Sequence, residues 1–270
     1  MICSDSTRRR ATRLAIAGVL TTTAFVLPFS TEALAESSLP DLSGRWAMIL
    51  VMPAAADLPL LGPLSLITET AAFVDVVQSG SQLTMFDSYC FTELEMTPPL
   101  IVSSVPDAFT CSLRPQPREA TLVQSGGNTV LLQSLYTEVR GAHLKDPVND
   151  PLPTSPFDER VYDQDEDGHP GLTIPVNALN LVTGDTYVVH RLQYRLEGTV
   201  IDDHTIVGSI PEWWSEQTVI AASDALLMLP FTYDHHPDAS LHRFVMVRVD
   251  ATWDCATLRE EMPAVLESDE

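Results

Sequence analysis

The chain has 270 residues, 45% hydrophobic and only 19% charged, and its 37 acidic against 15 basic residues give a formal net charge of −22. That balance is apolar enough to build a folded core and excludes a disordered acidic tail. So negative a surface repels nucleic acid and anionic lipid and favours cations, which excludes the first two as partners.

Residues 1–35 read as an export signal. Arg8, Arg9, Arg10 and Arg13 precede the apolar stretch LAIAGVLTTTAFVLPF, and Ala33-Leu34-Ala35 is the small-x-small pattern that a signal peptidase accepts. Cleavage near Ala35 leaves a single β-rich domain over 36–270 with 11 basic and 35 acidic residues, a net charge of −24. No later apolar run reaches the ~20 residues of a membrane span, so the expected product is secreted, periplasmic or at the cell exterior, with no integral membrane segment. Cys90, Cys111 and Cys255 remain after cleavage, and an oxidising compartment favours a disulfide. Cys90 with Cys111, closing twenty intervening residues, is the favoured pairing; Cys255 with either one is the alternative.

Along the mature chain, period-two alternation recurs and helical periodicity is scarce. GRWAMILVM opens the fold as a strand, and TAAFVDVVQSGSQLTMFDSYCF reads as two strands joined at Ser79-Gly80. ATLVQSGGNTVLLQSLYTEV repeats that form around Gly126-Gly127-Asn128. TYVVHRLQYRLEGTVIDDHTIVGSI gives two more strands around Asp202-Asp203-His204, and SLHRFVMVRVDATW one last long strand. SEQTVIAASDALLML is either a short helix or two strand pieces, and CATLREEMPAVLE is a short terminal helix broken by Pro263. Strands adjacent in sequence make an antiparallel meander, so the expected fold is all-β, closed as a barrel or stacked as a sandwich.

Between the second and third hairpins lies a Pro- and Asp-rich insertion, residues 141–175, which reads as a long ordered loop. Its stretch VYDQDEDGHPG places Asp163, Asp165 and Asp167 at alternate positions, then Gly168 and His169. A tight turn directs every second side chain inward, so the three carboxylates can converge, while Gly168 lets the backbone double back and offer the carbonyl of His169. Hard oxygen ligands point to Ca2+ as cofactor and partner. The pattern resembles the D-x-D-x-D-G loops of EF-hand and other extracellular calcium-binding proteins. It departs from the EF-hand at the twelfth position, where Ile174 replaces the bidentate Glu, so any further carboxylate must come from elsewhere, with Asp158, Glu159 and Asp202 as candidates. A loop without that ligand is expected to bind at ~10⁻⁴ to 10⁻³ M.

LSGRWAM, carrying Gly44-Arg45-Trp46, resembles the opening strand of lipocalins. In that family the Trp packs beneath the barrel floor against an Arg of the last strand, and RFVMVRV offers Arg243 or Arg248 for the role. The resemblance implies a barrel whose mouth takes a small apolar ligand, against a barrel filled by its own side chains.

PEWWSEQ sets Trp213 and Trp214 on opposite faces of a strand, one in the core and one exposed, between Glu212 and Glu216. An exposed Trp beside a carboxylate can stack on a sugar, so a glycan-binding or carbohydrate-active protein is one alternative function. A cell-surface assembly protein joined through Cys255 or a strand edge is another. YDHHPDASLH reads as a polar loop, since adjacent histidines on an extended chain point apart. No serine-hydrolase elbow, phosphate loop or zinc-protease motif occurs, so a non-enzymatic calcium- or ligand-binding role is the leading expectation, with no catalytic residue assigned.

Overall fold

The computed structural model describes residues 39–58, 62–99, 101–178, 181–228 and 233–267; the leader expected over 1–35 lies outside the described residues. The alternating stretches form strands β1 (Gly44–Leu58), β2 (Gly62–Ser79) and β3 (Gln82–Thr97), then β4 (Ile101–Ser103) and the short helix α1 (Asp107–Ser112). After these come β5 (Arg118–Ser125), β6 (Asn128–Gln133), β7 (Tyr136–Arg140), β8 (Leu172–Ala178), β9 (Val182–Val200), β10 (Thr205–Ala222), β11 (Asp234–His235), β12 (Arg243–Arg248) and helix α2 (Cys255–Glu267). Tight turns at Gly80-Ser81 and Gly126-Gly127 join the first two hairpins. Each puts a glycine where the backbone turns over at positive φ.

Every ladder is antiparallel, and the pairings β1–β2–β3–β5–β6–β9–β10–β12 return to β1. The expected all-β meander is therefore a barrel-like ring. The ring is not uniform along its axis. At one end β5 and β6 bridge β3 and β9, pairing only with Gln82–Met85 and Glu197–Val200. Farther along, the same edge of β9 is taken by β7 and then β8, with β4 beyond; β4 ends the path, with no ladder to β3 among the described residues.

Side chains alternate across this ring, and three cores follow. Inward residues from every long strand, including Trp46, Met48, Val74, Met85, Leu131, Tyr194, Ile206 and Phe244, form the interior. Outward residues of β1, β2, β3 and β12, among them Ile49, Phe73, Phe91 and Val245, are covered by Leu258, Met262 and Val265 of α2. Pro263 lies within α2 and does not end it, a departure from expectation that this packing explains, because the turns on both sides of the proline are held down on the sheet. On the far side, Tyr187, Val189 and Ile220 are covered by Ala142 and Leu152 of the insertion.

The disulfide joins Cys90 to Cys255, 165 residues apart, and corrects the favoured Cys90–Cys111 pairing. Cys90 sits at a bulge where β3 slips by one residue against β2, which turns it outward toward the start of α2. Cys111 Sγ lies 4.0 Å from the Cys90 carbonyl oxygen, beside that bridge without joining it. Two further readings change. SEQTVIAASDALLML continues β10 to Ala222 and then makes a single 3-10 turn, Ala225–Leu227, capped by the Asp224 side chain. The last strand covers only Arg243–Arg248.

The insertion leaves and rejoins the ring at one point. Cβ atoms added to Gly141 and Gly171 would lie 2.8 and 2.4 Å from the same carbonyl oxygen, that of Val188, and both glycines have positive φ. Two glycines flank one β9 peptide because nothing larger fits between the crossing chains.

Candidate ligand cavity and acidic loop

The interior differs along its length because the inward side chains differ in size. At the end holding Trp46, inward Leu, Met, Tyr and Phe residues fill the ring. Trp46 is fully buried and donates Nε1–H to the Leu42 carbonyl at 2.9 Å. Arg248, the partner of Trp46 in the β1–β12 register, stacks its guanidinium 4.5 Å from the Trp46 ring centroid. It also donates to the carbonyls of Asp41, Ser43 and Asp203. Of the two arginines considered, Arg248 thus takes the place beside the tryptophan.

A buried ion pair divides the interior. Arg118 grips Asp87 in a fork, Nε to Oδ2 and Nη2 to Oδ1, both at 2.6 Å. Its Nη1 donates to Gln133, whose amide donates to the Tyr194 carbonyl. Burial alone would depress the Arg118 pKa, but the adjacent Asp87 charge more than offsets this and holds it raised. Tyr136 and Tyr194 pack edge to face beside the pair, ring centroids 5.6 Å apart.

Beyond this layer the inward positions turn small or flexible: Ala54, Leu66, Thr68 and Thr70, then Thr92, Leu94 and Met96, then Val176 and Ala178. A cavity of about 660 Å³ results, within the 300–1,000 Å³ range common for small-molecule sites. The lining also includes Leu50, Thr70, Tyr89, Leu192 and Trp213 from the long strands and Phe109 from α1.

Polar groups are few and grouped on one wall. Arg140 lines the cavity and donates Nη2–H to Glu138 Oε2 at 2.7 Å, while its Nε is buried without a hydrogen-bond partner. Tyr89 donates to the same Glu138 oxygen at 3.3 Å. Arg140 pairs with His190 in the β7–β9 register. His190 Nε2 lies 2.6 Å from Ser215 Oγ, which lies 2.9 Å from the Tyr233 hydroxyl. Burial first, and the Arg140 charge second, push the His190 pKa down to about 3, so the imidazole is neutral. The Ser215–His190 contact is half of a nucleophile arrangement, but among the described residues no carboxylate hydrogen-bonds His190 to orient it.

Reasoning from the sequence missed this wall. The available signal was phase: in YTEVR, the opposite charges of Glu138 and Arg140 share a face with Tyr136, which a half-buried strand reserves for its interior.

The acidic loop behaves as its spacing suggests. Asp163, Asp165 and Asp167 each bring a carboxylate oxygen within 4.8 Å of the others. Asp163 accepts the backbone N–H groups of Asp167 and Gly168 at 3.2 and 2.8 Å, and Asp167 that of His169 at 2.9 Å. Asp165 Oδ2 accepts Thr173 N–H at 3.0 Å, at the start of β8, while its Oδ1 is buried without a partner. Burial, then the charges of Asp167 and Asp163, raise the Asp165 pKa. The His169 ring stacks 4.4 Å from that of Tyr187 on β9. Of the candidates for a further ligand, Asp158 is held by Arg160 at 2.7 Å and Asp202 accepts His204 N–H at 2.7 Å; neither these nor Glu159 belongs to the cluster.

Trp213 is buried at 5% exposure and lines the cavity, while Trp214 is 44% exposed, as the alternation requires. Arg191 lies 5.4 Å from the Trp214 ring centroid and pairs with Glu216, and Arg195 pairs with Glu212. Trp213 donates Nε1–H to His242 Nδ1 at 2.8 Å, and His242 Nε2 contacts the His236 carbonyl at 2.9 Å. Both His242 nitrogens are thereby committed, which leaves none for a metal. Comparisons with known protein families, with curated proteins and with solved structures returned no match.

Proposed function

We propose that this protein is an exported, non-enzymatic carrier that holds a small apolar molecule inside a lipocalin-like barrel. The single observation carrying this reading is the interior cavity of about 660 Å³ with its mainly aliphatic and threonine lining. A ring this size could have been filled by larger side chains, as its other end is. Arg248 over Trp46 supports the likeness to lipocalins. The Cys90–Cys255 bridge suits an oxidising compartment, and among the described residues no helix is long and apolar enough to cross a membrane. Titration of the protein from residue 36 onward with Nile red, a neutral solvatochromic dye, tests the proposal. Saturable one-to-one binding with a blue shift is expected; no binding overturns it.

A second reading rests on a separate observation, the three converging carboxylates with the unpartnered Asp165 Oδ1. The loop is proposed as a weak Ca2+ clamp, with Asp163, Asp165 and Asp167 giving carboxylate oxygens and His169 its backbone carbonyl. A cation there would offset the burial and the carboxylate repulsion that raise Asp165, and would tie the insertion to β8 through Thr173. At 10 mM Ca2+ and a Kd of ~10⁻⁴ to 10⁻³ M, the stabilisation expected is about 1.4–2.7 kcal/mol. Absence of calcium heat in calorimetry, with an unchanged melting temperature in EDTA, removes this reading.

A further inference from the structure

We infer that the ligand is an amphipathic acid, its apolar chain in the cavity and its carboxylate on Arg140. This deepens the carrier reading and rests on it. Among the described residues lining the cavity, Arg140 is the only fully charged side chain. Glu138 is not among the described lining residues, so the guanidinium and not its counterion borders the cavity. That counterion is also incompletely used. One Glu138 oxygen takes both Arg140 Nη2 and the Tyr89 hydroxyl, so the pair is not the two-pronged grip that Arg118 has on Asp87. Arg140 Nε is left buried without an acceptor.

A buried guanidinium with an unused N–H is costly. A planar carboxylate is the group that fits its fork, since two oxygens can meet two donors at once. The neighbouring groups suit an anion as well. Ser215 and Tyr233 bring hydroxyls, and His190 is neutral and in register with Arg140. Among the described lining residues there is no carboxylate to repel the ligand. From that wall the lining runs through Thr186, Ile174, Val176 and Ala178, mostly aliphatic, which leaves the chain of such an acid in apolar surroundings.

Affinities of palmitic acid and of its methyl ester for the protein decide the point, read from displacement of Nile red and from the fluorescence of Trp213 in the cavity wall. The two probes match in chain length and differ in charge, so the comparison needs no variant. Palmitate is expected to bind about ten-fold or more tighter than the ester, the margin of a charged hydrogen-bonded contact. Arg140→Met combined with Glu138→Gln removes the pair without stranding one charge, and is expected to abolish the preference, read as the ratio of palmitate to ester affinity within the variant. Equal affinities, a tighter ester, or a preference that survives in the double variant overturns the assignment to Arg140. Nile red binding with neither palmitate nor ester binding also overturns it and leaves the carrier reading standing, whereas loss of Nile red binding ends both.

Discussion

The two ends of the ring use the same strands and reach opposite results. At the Trp46 end, Arg118 is satisfied on all sides by Asp87, Gln133 and Met48, and large side chains fill the space. At the other end, Arg140 keeps an unpartnered Nε, and threonines and alanines leave about 660 Å³. In the filled end every Arg118 nitrogen is answered by the chain itself, while the Tyr136 and Tyr194 hydroxyls beside it are buried without a partner where large side chains leave no room for a ligand. In the hollow end the Arg140 guanidinium borders open volume. The difference teaches where binding can be expected: in the half where packing around a polar group was left incomplete.

Four experiments would break or sharpen that contrast. The largest effect is expected from a change outside both ends. Replacing Cys90 and Cys255 together by Ala frees a loop of 165 residues, and the chain-entropy relation gives a loss of about 5 kcal/mol. Urea denaturation should show that loss with Nile red affinity unchanged, since the bridge ties α2 to the outer face. Next, Asp87→Ala strands Arg118 in the filled end and should cost about 3–5 kcal/mol, of which Asp87→Ala with Arg118→Met recovers most. The same denaturation curves would check both.

A third effect belongs to the hollow end and depends on pH. The folded-state pKa of His190, about 3, lies below the ordinary value of 6.5. Between those values the unfolded chain binds the proton more readily, so stability falls as pH drops, by about 1.4 kcal/mol per unit. Above pH 6.5 the group contributes no slope. His190→Gln should therefore flatten the stability profile between pH 6 and 4, and an unchanged profile would mean that His190 is not shielded as described. The smallest stability effect is expected from Thr92→Leu, which adds bulk to the cavity wall. Its stability should stay within about 1.5 kcal/mol of the original, while Nile red affinity falls about ten-fold. A comparable insertion into the filled end, Ala120→Leu, beside Leu83 and Gln133, should cost more and leave dye binding alone.

Local patterns were legible because their causes are local. Alternation gave the strands, since a pleated chain sends successive side chains to opposite faces. Gly80 and the pair Gly126-Gly127 marked two hairpin turns, and the spacing of Asp163, Asp165 and Asp167 their convergence. Phase also separated buried Trp213 from exposed Trp214. The wall of Arg140, His190 and Ser215 was not legible. These residues lie 25 to 75 positions apart, and they meet only because β9 is paired on one edge by β7 and on the other by β10.

The sequence by itself determined an all-β antiparallel chain with a converging acidic loop, because period, turn chemistry and carboxylate spacing act within a few residues. Only the tertiary structure decided that the ladders close into a ring, that Cys90 meets Cys255, that Arg248 covers Trp46, and that one end is hollow. Those outcomes depend on register between distant strands and on the summed volume of side chains facing one space.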